Sequence, residues 1–261
     1  MNTVFNKDYT NSEAIINPTD FTKKIEGFPR ICISTFSKKI IDRLIKSEET
    51  EIITGLISAH GEKPVYRVRY RDTYFAFYLS AVSSPASAAE LEEIIAMGAE
   101  KVVFFGSCGI LNDELVRDSL IIPTGVVRDE GTSYHYIRAG EELVPDEKST
   151  AALVSAFEKY RCQYVKGRIW TTDAIYRETK EAAKERKEAG CIAVEMEYSA
   201  LLAVARYRNI GYAQFFYGAD SLDNDKWEIR DLNDHGLRGA DKYIALAFEC
   251  GLKMQQNELE I

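Results

Sequence analysis

Short, wholly apolar runs alternate with segments of helical periodicity along most of this chain. That alternation narrows its fold more than any other feature. RICIS (30–34) and KVVFFG (101–106) show no polar alternation, so they read as strands buried on both faces. SKKIIDRLIKS (37–47) repeats its apolar residues at helical spacing, and ASAAELEEIIAMG (86–98) predicts a helix closed by Gly98. Further strands are expected at VYRVRY (65–70), YFAFYLSAV (74–82), SLIIPTGVV (119–127, broken by Pro123), 163–171 and GYAQFFYG (211–218). Helices are expected over 148–160, 178–188, within VEMEYSALLAVARYR (194–208), and over about 236–256. Strands alternating with helices predict the α/β class, with a central, mixed, largely parallel β-sheet flanked by helices. There is no repeat or linker. Residues 1–29 are polar and turn-rich, an N-terminal arm, and 30–261 form a single domain.

Composition removes several functions. The formal net charge of −8 is not offset by any basic cluster, which argues against a nucleic-acid partner. The five cysteines are scattered without a CxxC pair, as reduced thiols would be. No apolar run approaches the roughly 18 residues of a membrane span, and the first residues lack an apolar signal region. A soluble, cytoplasmic protein without a membrane partner is expected.

In a largely parallel sheet, ligands bind beyond the carboxyl ends of the strands, and three such places carry chemistry. Gly106-Ser107-Cys108-Gly109 follows a buried strand; its small residues allow backbone N–H groups and the Ser107 hydroxyl to converge on an anion. The same residues also make an ordinary tight turn. The segment does not match G-x-S-x-G, and Cys108 has no recognisable partner among His60, His135 and His235. Val194-Glu195-Met196-Glu197 puts two carboxylates around a thioether. That set suits sugar hydroxyls and the face of a ring, or equally the first turn of a helix. Asp220 follows the strand QFFYG, where it is either a general acid for a leaving base or a turn residue. Asp223 and Asp225 continue the acidic stretch without the glycine and closing Glu of a calcium loop, so no metal is expected.

Together these segments resemble the hexameric purine nucleoside and uridine phosphorylase family, in order, from about residue 30 to the end. SSPASAAELEEIIAMGAEKVVFFGSCGIL is similar to its strand–helix–strand block, and RDEGTSYHYI (128–137) and GRIWTTDAIY (167–176) to its next strands and loops. AVEMEYSALLAVA resembles its most distinctive signature, and YGADSL its acid segment. The resemblance implies that Glu197 binds the ribose hydroxyls, with Glu195 beside it and Met196, Val194 and Val82 packing on sugar and base. It implies that Ile175 and Tyr176 border the base and that Asp220 protonates it, assisted by Arg238 or Arg230. Gly106, Ser107 and Lys38 would contact phosphate. YRETKEAAKERKEAG shows no equivalent of the uridine branch's pyrimidine-reading loop, so a purine-type base is expected.

Departures gather at the phosphate site. The family's Gly-Asp-Pro-x-Arg loop is here Ser34-Thr35-Phe36-Ser37-Lys38, and a second family arginine is Phe104. Its Gly-Met-Gly is Ala81-Val82-Ser83, and the Ser before its acid is Ala219. Losing one bidentate arginine contact costs about 1.5–3 kcal/mol, tenfold or more in phosphate binding. Arg67, Arg69, Arg71 or a neighbouring subunit could supply replacement cations. The resemblance implies phosphorolysis of a purine-type nucleoside in a homo-oligomer (a dimer or trimer of dimers), with inorganic phosphate as co-substrate and no other cofactor. Hydrolysis by water, or nucleoside binding with little turnover, are the alternatives.

Overall fold

The fully buried run ICIST becomes β1 (Ile31–Thr35), hydrogen-bonded in parallel on one side to β4 (Thr73–Leu79) and on the other to β5 (Lys101–Ile110). A strand so placed has no solvent face, which is why it has no polar alternation. This computed structural model describes residues 8–116, 118–224 and 226–259; the first seven residues of the expected arm, Arg117, Asp225 and residues 260–261 lie outside that set.

Beyond β4 lie the antiparallel pair β2 (Thr50–Ser58) and β3 (Gly61–Tyr70). On the other side of β5 come β6 (Leu120–Asp129), β7 (Tyr164–Thr172), β8 (Cys191–Glu195) and β9 (Gly211–Ser221). The order is β2-β3-β4-β1-β5-β8-β7-β6-β9, and β5 also pairs in parallel with β9, so the last five strands close on themselves. Closure gathers the ends of β5, β7, β8 and β9 around one opening.

Helices cover both faces: α1 (Pro18–Phe21), α2 (Lys38–Ser47), α3 (Ser84–Met97), α4 (Asp113–Val116), α5 (Glu147–Lys159), α6 (Lys180–Glu188), α7 (Tyr198–Arg208) and α8 (Ala240–Leu259). One core joins Leu91 and Ile94 of α3 and Leu201 and Val204 of α7 to Val102 and Phe104 of β5. The other joins Leu44 of α2, Phe157 of α5 and Phe248 of α8 to Phe75, Phe105 and Phe215. This is the single α/β domain with a mixed, helix-flanked sheet that the alternation predicts.

The structure differs from the sequence expectations in five places. TEIITGLIS forms β2, an edge strand whose outward Ile52 and Ile57 hide its amphipathic signature. CIAVE forms β8, a strand not expected from sequence, because a five-residue apolar run so close to a helix carries no period of its own. Pro123 does not break β6; the pairing with β7 shifts between Pro123 and Gly125, a bulge that absorbs the missing N–H. The final helix begins at Ala240, after two 3₁₀ turns, and YFAFYLSAV leaves the sheet at Leu79. Gly98 closes α3 at φ 133°, as expected of its C-cap.

The ring of Phe215 lies between those of Phe105, stacked at 5.4 Å, and Phe157, edge-on at 5.3 Å, with no solvent exposure. Phe215→Ala is expected to lower the unfolding free energy by about 3–5 kcal/mol. Urea denaturation should show an earlier midpoint at unchanged slope; a loss below about 1 kcal/mol would mean that this face of the sheet is not closely packed.

Candidate active site

A pocket of about 190 Å³ opens where the strands end. Most of its walls come from strand ends and the turns that follow them. Phe36 follows β1, Val82 follows β4, Ser107, Cys108 and Gly109 belong to the last turns of β5, Ile175 and Glu178 follow β7, Val194–Glu197 end β8, and Asp220 and Leu222 end β9. Leu232 closes the rim.

The β8–α7 junction holds the most tightly fixed groups. Glu195 ends the strand and is buried; its Oε2 accepts the N–H groups of Glu197 and Tyr198, each at 2.8 Å. These are orphan donors of the helix start, where a carboxylate also meets the positive end of the helix dipole. Its Oε1 accepts the Thr171 hydroxyl at 2.5 Å, and Thr171 Oγ1 in turn accepts the Ser199 N–H at 3.1 Å. The Ser199 hydroxyl donates to the buried Glu130 at 2.8 Å. Glu195 therefore builds the floor rather than presenting a free carboxylate. Glu197 sits at the N-cap of α7, buried, with Oε1 accepting the Ser83 N–H at 2.7 Å. That contact ties it to the turn after β4, where Ser83 takes φ 106°, an unusual value for a residue with a side chain. Burial raises the pKa of Glu197, and the neighbouring Glu195 raises it further. Burial likewise raises Glu195, against its three hydrogen bonds.

Asp220 ends β9 across the pocket. Its Oδ2 accepts the indole N–H of Trp227 at 2.7 Å. Burial raises its pKa, opposed by the Trp227 bond and the charge of Arg230. Glu178 is half-buried between these elements, and burial together with Asp220 pushes it up to about 7.

Of the residues selected from sequence, the structure brings together Val82, Ser107, Ile175, Val194, Glu195, Met196, Glu197 and Asp220. Four fall elsewhere. Gly106 lies beneath the ring of Phe36, which a Cβ there would meet at 2.8 Å. Tyr176 points to solvent at 95% exposure. Lys38 sits in the first turn of α2 and pairs with Asp42 one turn on. Arg238 is exposed and pairs with Asp231 at 2.8 Å; the arginine whose charge reaches Asp220 is Arg230, which bridges Asp113 and Glu228. Arg67, Arg69 and Arg71 pair with Glu51, Asp72 and Glu249 and line no part of this pocket. Cys108 is buried, its thiol pKa raised by burial, and no histidine lines the pocket. Sequence reasoning missed Glu178 and Trp227. Both sit in stretches without a motif; the turn after β7 brings in Glu178, and a turn after β9, closed by the Ser221–Glu228 bridge, brings Trp227 back onto Asp220.

Four carboxylates and no Lys or Arg line this opening. Phe36 packs on Phe104 with ring centroids 5.7 Å apart, so apolar surface lies where the Ser34–Lys38 loop meets β5. Among the described residues no group of three or more His, Cys, Asp or Glu is placed to hold a metal ion, and no helix is long and apolar enough to cross a membrane.

Comparison with known proteins bears on the whole arrangement. Residues 30–248 match the family model described as the phosphorylase superfamily. The chain is 28% identical over 155 residues to a guanosine phosphorylase of Halorubrum lacusprofundi, covering 59% of this chain and 64% of that one. It is 31% identical over 120 residues to a uridine phosphorylase of Thermococcus kodakarensis, covering 46% and 43%. The matched stretches thus span less than two thirds of these relatives' own lengths. In fold alone, the chain is similar to an AMP nucleosidase from Bacteroides thetaiotaomicron (TM-score 0.73, 16% identity, 92% of this chain and 95% of that one) and to a uridine phosphorylase from Vibrio fischeri (TM-score 0.74, 20% identity, 89% and 98%).

Raised carboxylates give a definite pH signature. Glu195 and Glu197 hold their protons more tightly folded than unfolded, so their contribution to stability is full below the ordinary carboxylate range. It is lost as pH rises through their folded values, up to about 8. Urea midpoints should fall between pH 5 and pH 8, and Glu197→Gln should flatten that fall; an unchanged slope in the variant would show that Glu197 is not held in this buried, like-charged setting.

Proposed function

The chain belongs to the phosphorylase superfamily, and from that premise we propose that it cleaves the N-glycosidic bond of a purine-type nucleoside. One observation carries this: Glu197, at the start of α7, and Asp220, at the end of β9, line a single pocket together with Val194, Met196 and Ile175. Glu197 accepts the ribose hydroxyls, held in place by Ser83 and by the helix start that Glu195 caps. Met196, Val194, Val82 and Ile175 supply apolar surface for sugar and base. Asp220, whose pKa burial raises, is the group placed to give a proton to the departing base, so the C–N bonding pair stays with the base and it leaves neutral. The nucleophile then joins the electron-poor anomeric carbon.

For the nucleophile we put phosphate first, giving free base and pentose 1-phosphate. Its support is that the two sequence relatives are phosphorylases and that Ser107, exposed near the end of β5, lines the pocket. Hydrolysis is the second reading, and the cation-free lining favours it: water needs no counter-charge, whereas a phosphate dianion beside four carboxylates does. Phosphate in this site would draw its cation from Lys38, Arg230 or Arg238 by rearrangement, or from a second subunit of a homo-oligomer. The five free cysteines fit a reducing, cytoplasmic compartment.

Free base should appear when the protein is incubated with inosine, guanosine or adenosine. Dependence on added phosphate supports phosphorolysis, and release without it supports hydrolysis. Asp220→Asn should lower kcat/KM by about 10²–10⁴-fold while leaving the circular dichroism spectrum unchanged. An unaffected rate would remove Asp220 from the mechanism, and binding without release by the parent protein would make it a nucleoside-binding protein.

A further inference from the structure

The sheet stays open at one end. Its order runs from β2 to β9, and β9 pairs back onto β5, so among the described residues β2 alone ends the sheet. A long edge strand offers a row of unpaired N–H and C=O groups, which proteins blunt with lysine, proline or short length. β2 is nine residues long and contains neither Lys nor Pro; its one charge, Glu51, is paired with Arg67 on β3. Its one irregularity is the register shift against β3 between Ile52 and Thr54. Ile53 packs on the core beneath α3, and Thr54 lies opposite Val65 of that same core, so two successive residues share a face. That bulge reverses the parity of the strand. Ile52 (opposite Tyr66), Gly55 (opposite Pro64) and Ile57 (opposite Glu62) therefore share the other face, although five residues separate the two isoleucines. Both isoleucines are exposed, Ile52 at 61% and Ile57 at 76%.

This edge is complementary to itself. A two-fold axis sets a strand antiparallel to its own copy. With the axis at Gly55, the Ile53–Thr54 bulge of each strand lies against Leu56 of the opposing strand, and every pair shares a face. Ile52 of each copy then meets Ile57 of the other, so the two exposed isoleucines are covered twice over by a favourable cross-strand pair. Charge agrees at the ends: Glu48 and Glu49 precede β2 and His60 follows it, so the acidic start of one strand comes beside the histidine of the other. At the axis Gly55 brings no side chain of its own, and Glu62 leans over it from β3. The like charge of two such carboxylates keeps the association dependent on concentration. We propose that two copies of this chain join β2 to β2 about a two-fold axis at Gly55, so that their sheets run into one another. An unrelated extended peptide fits less well, because bulge against Leu56 and isoleucine against isoleucine require the same sequence read in reverse. β2 lines no part of the pocket at the strand ends, so the joint leaves both pockets open.

Sedimentation velocity over a range of protein concentrations reads the mass of the assembly. Ile57→Lys and Ile52→Glu each set a charge against an isoleucine of the other copy. Either is expected to raise the dissociation constant about tenfold or more, and to halve the mass at concentrations where the parent is assembled. The double variant Ile52→Glu/Ile57→Lys is expected to regain the parent's mass at low salt, because each glutamate then faces a lysine across the axis, and to lose it again as salt is added. Along their own strand the two lie roughly 13–16 Å apart, too far to pair with each other. Hydrogen exchange on the unmodified chain gives an independent reading: amides of residues 50–58 should exchange more slowly as protein concentration rises. A parent that is monomeric at every concentration, single variants that keep the parent's mass, a double variant that assembles no better than the singles, or exchange in β2 that ignores concentration would each overturn the proposal.

Discussion

A buried carboxylate organises this site. Glu195 stops β8, accepts the first N–H groups of α7 and is held from below by Thr171. Two helix donors that would otherwise be buried without partners are satisfied, so strand and helix meet at a fixed angle with no loop between them. Glu197, two residues on, inherits its position from that junction. A free-standing acid on a loop would wander, whereas one hung from a capped helix start is set before any ligand arrives. Closure of β5 onto β9 then brings Asp220 opposite.

The electrical character of the opening follows from the same economy of parts. Glu178, Glu195, Glu197 and Asp220 crowd a volume of about 190 Å³ with no lysine or arginine among the lining residues. Burial raises the pKa of all four, and Asp220 raises that of Glu178 further, as Glu195 does that of Glu197. A site of this kind welcomes neutral ligands rich in O–H and N–H donors. Nucleosides are such ligands; phosphate is not, unless a cation comes with it. Phe36 and Phe104 occupy the region where the resemblance placed phosphate contacts, so the departures noticed in sequence are departures of shape as well as charge.

Much of this was legible in the chain. β1, β5 and β9 stood out because burial on both faces leaves no polar alternation, and Gly98 marked the end of α3 through its positive φ. Glu197 and Asp220 were selected because ligands bind where such strands end, and the structure places both in one pocket. The unseen parts have specific causes. β8 is five apolar residues that run almost directly into a helix, and periodicity cannot separate the two. β2 exposes Ile52 and Ile57 at the sheet edge. Lys38 and Arg238 were placed by position in a motif, yet the structure pairs them with Asp42 and Asp231. Glu178 lines the pocket and Trp227 donates to Asp220 only because the chain turns back on itself after β7 and β9, and no local pattern announces either.

The central proposal is that one nucleoside lies between Glu197 and Asp220, sugar toward the first and base toward the second. A crystal structure with an uncleavable purine nucleoside analogue measures this directly. Ribose hydroxyls within hydrogen-bond distance of the Glu197 carboxylate, with the imidazole edge of the base at Asp220, is the predicted result. An analogue bound in the reverse sense, or seated outside this pocket altogether, would contradict it.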